Sequence, residues 1–388
     1  MNMKRFYVLF TLILLTFCSI GFSEQLSSEE LAIGPEEHID FITAKGKILE
    51  ILSDTGKDDD IYSTDLSFRL QTAKIKMLDG KFKNEEFIIE HSISGNFAYD
   101  IILEEGNEVV LSIEEDGEKV PKIYVTDFVR DKYLLMLVLL FIAFLILIGG
   151  IKGLKSVVTL FITGYVIMYI MLPLILKGFN PLIVTSLSAI FIAFMTFLII
   201  GGINAKTVAA LVGTAGGVLF AGFLAYMVGS MVKLTGLSSE EASMLMFIPQ
   251  GIVFDFRSLL FSGIIIGTLG AVMDVAMSIS SSMYELRLLS TDIDYRSLVK
   301  SGLNIGKDIM GTMSNTLILA YTGSSIPLLL LFMSYDTPVS KILNLDLIAT
   351  EVVRALVGSI GLVVAIPITA LCAGLIFKQS SKQKGSID

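Results

Sequence analysis

From residue 132 onward the chain is dominated by apolar runs of membrane-crossing length, at about 133–151, 156–176, 182–202, 207–232, 258–283, 308–333 and 349–377. About 20 apolar residues cross a ~30 Å hydrocarbon core as helix, and inside it each backbone polar group must find its partner within the segment. The expected fold is therefore an α-helical polytopic membrane bundle of about seven spans. A composition of 53% hydrophobic residues agrees, being above the apolar share of an average soluble domain.

Charge divides the chain in two. Residues 24–130 hold 25 Asp/Glu against 11 Lys/Arg, a net −14, whereas residues 131–388 hold 13 against 16, a net +3. An acidic water-soluble segment thus precedes a weakly basic membrane block, and such a face gives no reason to expect nucleic-acid binding. Lys4 and Arg5, the apolar run 6–22 and Gly21-Phe22-Ser23 read as a secretory signal over 1–23, with an uncleaved anchor as the alternative. Bulky Phe17 before Cys18 makes a poor lipoprotein box.

The acidic segment alternates with the period of β structure in FITAKGKILEIL, LSFRLQTAKIKML, EEFIIEHSI, EVVLSIEE and KIYVTDFV, with Asp79-Gly80 and Asp116-Gly117 as turns. Five short strands in this length suggest a small all-β extracytoplasmic domain, an OB-like closed barrel over 24–130. Asp54 and Asp58-Asp59-Asp60 lack the glycine and terminal glutamate of a calcium loop and read as a solvated turn. Two histidines, His38 and His91, and two separated cysteines, Cys18 and Cys372, offer neither a zinc cluster nor a disulfide. No cofactor is expected, and metal binding stays undetermined.

The membrane domain covers 131–378, with a cytoplasmic tail at 379–388. Lys152, Lys155, Lys206, Arg287, Arg296, Lys300, Lys307, Lys378, Lys382 and Lys384 fall on one side, against Lys177, Lys233, Arg257 and Lys341 on the other. The positive-inside rule then places the β domain outside and the C-terminus in the cytoplasm. Gly213/Gly216, Gly267/Gly270 and Gly358/Gly361 recur as small-residue pairs in spans four, five and seven, and read as helix packing. Gly323 with Pro327, Pro367, Pro173 and Pro181 are expected to interrupt helices. Thr291 with Asp294 has capping-box spacing for a short amphipathic interfacial helix, and Ser238 or Ser239 is positioned to cap a helix in LSSEEASMLMF.

Polar residues inside the spans are the candidates for function. Asp274, Ser278, Ser281, Ser282 and Glu285 are spaced by four, three, one and three, which puts them on one helix side. Asp274 lies about 25 Å along a span that begins near Arg257, hence within the hydrocarbon. A carboxylate there costs a few kcal/mol, so a use or a partner is expected for it. The next span carries Asn304, Asp308, Thr312 and Asn315, and the reading predicts that the two stripes face each other. Thr312 and Asn315 would then meet Ser278 and Asp274, and Asp308 would meet Ser281 and Ser282. Such oxygen ligands suit protons, sodium or hard divalent ions; the plainer alternative is that they only hold two helices together. Glu351 and Arg354 form an i,i+3 pair and read as structural.

The stretches GAVMDVAMSISSSMYE (270–285) and NIGKDIMGTMSNTLILAYTG (304–323) resemble the signature segments of the YibE/F family of bacterial multi-span membrane proteins. The resemblance extends to 128–155, NAKTVAALVGT at 204–214 and GSIGLVVAIPITAL at 358–371. It implies the fold and a bacterial plasma-membrane location, and no activity. The expected function is a transporter or channel for a small ion or ion-coupled solute. Expected partners are the lipid bilayer and a small cation or proton, with room for a homo-oligomer. The alternative is an anchored envelope factor whose β domain binds an extracytoplasmic protein. An enzyme is not expected: an intramembrane aspartyl protease would resemble a Gly-x-Gly-Asp stretch, which Ile305-Gly306-Lys307-Asp308 is not.

Overall fold

A computed structural model describes residues 41–55, 69–94, 100–114, 121–247, 254–290, 292–335 and 338–384. The expected signal segment, Asp58–Asp60 and Asp116-Gly117 lie outside the described residues. The chain divides into two compact units, with the boundary between Met136 and Leu137.

The first unit is a five-stranded antiparallel sheet of β1 (Phe41–Asp54), β2 (Arg69–Met77), β3 (Glu86–Ile93), β4 (Glu108–Glu114) and β5 (Lys122–Phe128), in the order β3-β2-β1-β4-β5. Each strand falls on one of the alternating runs. Period-2 patterning sends Ala73, Ile75 and Met77 of β2 inward to a core with Ile48, Leu103, Val109, Leu111 and Ile113. β1 is long enough to serve two neighbours. Its first half pairs with β4 and its second with β2, and register shifts after Ile48 and Ile51 bend it between them. The expected closed barrel is corrected to a half-barrel: β3 and β5 come near each other but share no ladder among the described residues. Gln71 is buried, and its amide donates to Asp54 (2.9 Å) and to the Leu103 carbonyl (3.2 Å) while accepting from the Leu103 N–H (2.8 Å). Asp54 also takes both arms of the Arg69 guanidinium at 2.7 and 2.6 Å, a bidentate fork. His91 Nε2 is bonded to the Ile101 carbonyl (2.8 Å).

The second unit is helical: α1 (Asp131–Tyr165), a π-helical turn Val166–Met171, α2 (Leu172–Leu176), α3 (Pro181–Gly201), α4 (Ala205–Met231), α5 (Glu240–Met244), α6 (Phe256–Leu289), α7 (Tyr295–Ser324), α8 (Ile326–Ser334), α9 (Val339–Ile342) and α10 (Asp346–Lys384). Asn180, Asn204, Ser239, Asp255 and Asp294 cap α3, α4, α5, α6 and α7 with their side chains.

Among the described residues five helical stretches are long and apolar enough to cross a membrane, and a sixth arises if α7 and α8, bent by 59°, count as one. This count, which takes the first stretch as one, does not reach the expected seven. The first two expected spans run as one stretch, Asp131–Leu176, whose backbone breaks at Gly150 (φ 53°, ψ −129°), a positive-φ conformation that glycine adopts without strain. The break folds the chain back. Phe141 and Thr163 line one cavity, although a straight helix would hold them about 33 Å apart. A Cβ on Gly153 would sit 1.9 Å from the Leu145 carbonyl oxygen, so no larger residue fits the bend.

Two further expectations change. Asp294 is itself the cap of α7, accepting from the Arg296 N–H, so the expected interfacial helix continues into the sixth span as one helix. The reason is local, because no glycine or proline breaks the backbone before residue 302. Pro367 lies inside the continuous α10 and does not interrupt it, whereas Pro327 starts α8 just after the 59° bend.

Glycines set the packing of α4, α6, α7 and α10. Gly217 abuts Ala365 and the Gly361 carbonyl, and Gly361 abuts Ala221, so α4 and α10 run antiparallel at close range. Gly302 sits against Met283 and Ala370, and Gly306 against Ile279 and Ile366, which seats α7 in the groove between α6 and α10. The apolar core of the unit runs along these contacts through Val272, Ile279, Met283, Leu317, Leu362 and Ile366.

Candidate functional site

The candidate site lies along α6 and α7. Three contacts fix their register: Gly267 faces Tyr321, Ile279 faces Gly306 and Met283 faces Gly302. Numbers fall on one helix as they rise on the other, so the two are antiparallel. Asp274, seven residues past Gly267 and five before Ile279, therefore lies level with the segment from Gly311 to Ser314, which includes Thr312. By the same register Ser278 comes level with Lys307 and Asp308, and Ser281 and Ser282 with Asn304.

Matched depth between the two stripes is thus present, one helical turn away from the expected pairing. Direct opposition is not. Asp274, Ser278 and Glu285 on α6, and Asn304, Asp308, Thr312 and Asn315 on α7, are all exposed, uncovered by the rest of the chain, while Ser281 and Ser282 are half-buried. The physical reason is the glycine face of α7. Gly302 and Gly306 permit the closest approach and so turn that side inward; Asp308, two residues from Gly306, is rotated from it by about 200°.

No hydrogen bond or ion pair joins the stripes among the described residues. Thr312 donates to the Ile309 carbonyl of its own helix (2.9 Å), and Asp274 has no side-chain partner among the described residues. By contrast Ser280, one step off the stripe, donates across to the Lys206 carbonyl (2.7 Å) and stitches α6 to α4. Glu351 accepts from Arg354 at 2.7 Å, the expected i,i+3 pair on α10.

Two further hydroxyls lie off the stripes. Ser314 Oγ and Tyr321 OH are buried on the packed side of α7 and lack a hydrogen-bond partner among the described residues; Ser314 is close to the level of Asp274, whereas Tyr321 is level with Gly267. Their signal was the glycine spacing: Gly302, Gly306, Met310, Ser314, Leu317 and Tyr321 follow steps of four and three along one face. Thr214 Oγ1 on α4 is a third such hydroxyl. Ser314 thereby adds a buried hydroxyl at the level of the uncompensated Asp274 carboxylate. No group of three or more potential metal-ligating His, Cys, Asp or Glu side chains occurs among the described residues.

A family model described as YibE/F-like protein matches residues 137–379, and one described as the YibE/F family N-terminal domain matches residues 42–128. Neither a curated protein nor a solved structure gives a significant match. The two matched segments cover both compact units, and the chain belongs to the YibE/F family.

Proposed function

We propose that the helical unit is a transporter or channel of the bacterial plasma membrane that moves a small cation or a proton along the α6/α7 face. One observation carries the reading: Asp274 lies far inside a span-length helix without an internal partner among the described residues, at the depth of Thr312 on its antiparallel neighbour. A carboxylate in hydrocarbon is expensive, and an ion that binds and leaves requires a ligand not already neutralised by the protein. Asp274 then takes up the charge. Ser278, Ser281, Ser282, Thr312 and Asn315 supply neutral oxygens, and Asp308 and Glu285 mark the end expected to face the cytoplasm.

The test is flux through purified full-length protein in liposomes, with proton, sodium, potassium and divalent gradients, for the native chain and Asp274→Asn. Native flux that the substitution removes supports the reading. Equal, negligible flux for every ion overturns it.

A second reading is favoured by the half-barrel. Among the described residues its β3 edge pairs with β2 alone and carries an exposed Ile88, a surface that an envelope protein strand can extend. A cellular phenotype lost on deleting residues 41–130, with flux intact, would favour this reading over transport.

A further inference from the structure

The fold-back at Gly150 creates a cleft remote from the polar stripes of α6 and α7 in its chemistry. Two adjoining cavities, of about 390 and 330 Å³, share Phe141, Leu145 and Ser156. The larger runs between the limbs of α1 and on to α3 and α6, where Ile192, Ile266 and Gly270 close it. The smaller continues along the bend past Phe144 and Gly149 to Lys152.

Its walls are mostly apolar, and of the lining hydroxyls those of Ser156, Thr159 and Thr163 are engaged with their own helix, with Thr196 the fourth. Ser156 donates to the Lys152 carbonyl, Thr159 to that of Ser156 and Thr163 to that of Thr159. No acidic side chain lines either cavity, and Lys152 has no ion-pair partner among the described residues. Lys155 lies one turn further on. The cleft is therefore a long apolar slot with uncompensated positive charge at one end, within a segment of membrane-spanning character.

We propose that this cleft is a binding site for an anionic phospholipid, one acyl chain lying between the limbs of α1 and the phosphate at Lys152. Apolar volume of this size holds a chain that needs no hydrogen bonds, and a lysine at the slot's end selects a negative head. Water fits the slot poorly, since few of its walls can bond it. A second copy of this chain would have to insert a side chain into a slot that ends on a cation, and the apolar residues that dominate these helices leave that cation unmet.

Native mass spectrometry of the full-length protein, released from detergent with phosphatidylglycerol or phosphatidylcholine of identical acyl chains, tests this. The native chain should retain phosphatidylglycerol about fivefold more than phosphatidylcholine, the discrimination one lysine supplies. Lys152→Gln should bring the ratio to near one. Gly270 has open space on every side of the point where a Cβ would stand, so Gly270→Leu fills the larger cavity without a clash and should reduce retention of both lipids. Thr163→Leu, on the opposite wall, should do the same if the α6 variant fails to fold. Equal retention of the two lipids by the native chain, an unchanged ratio in Lys152→Gln, or undiminished retention in both filling variants overturns the proposal. So does a lipid-free dimer, or uptake of a free fatty acid without phospholipid.

Discussion

The two units treat their polar groups in opposite ways. In the β unit the buried Gln71 amide, the Asp54 carboxylate and the Arg69 guanidinium close on one another and on the Leu103 backbone. In the helical unit Tyr321, Ser314 and, near the level of Ser314, Asp274 have no side-chain partner among the described residues. A small β core needs its polar groups satisfied to be unique and stable, because an orphaned buried group costs about 1–3 kcal/mol. A membrane bundle has the same incentive, and in hydrocarbon a stronger one, so the carboxylate left without an internal partner is the group on which the proposed ion pathway rests.

The contrast is exposed first by stability. Asp54→Ala leaves Arg69, whose side chain is 19% exposed, and Gln71 without their partner, and should cost the β unit about 3 kcal/mol, read as faster hydrogen exchange in β1 and β2 of the full-length protein. A loss under about 0.5 kcal/mol would mean that the network is ornamental and the contrast false. Next in size, Gly306→Val drives a Cβ to within 2.2 Å of Ile366 and should cost about 2 kcal/mol, seen as a lower melting temperature in detergent.

Asp274→Asn should do the reverse of Asp54→Ala: it removes no internal contact, so stability should shift by under about 0.5 kcal/mol while ion flux falls at least about tenfold. A large stability loss from this variant would show that Asp274 is a structural group after all. The smallest effect is electrostatic. The Lys74 ammonium, bonded to Glu86 across β2 and β3, holds the Glu86 carboxyl below the usual range. A lowered folded-state value means that the contribution is present above the ordinary glutamate range and fades as pH falls through the folded value. The native chain and Glu86→Gln should therefore differ slightly in melting temperature at neutral pH and converge in acid. A difference that grows on acidification would reverse the assigned sign.

Legibility in the sequence differed by scale. Each strand of the half-barrel is marked by period-2 alternation, and the helical stretches by apolar length, because both signals are local. Ser239 is legible as a cap for the same reason, its side chain answering to a backbone N–H three residues away. Span number was less legible. Whether 133–176 is one helix or two turns on the conformation of a single glycine, and the apolar pattern on either side of Gly150 is the same in both cases.

The sequence alone determined a signal-like leader as an expectation, an acidic β unit, an apolar helical unit and the two polar stripes with their spacing, since all of these follow from residue type and short-range periodicity. Tertiary structure decided which way the stripes point. Rotation of α7 about its axis is governed by the close contacts that Gly302 and Gly306 make with α6 and α10, partners far away in the chain. The same contacts shifted the register by one turn and left Asp274 open. A helical period records which residues share a face, and only packing against distant elements determines what that face meets.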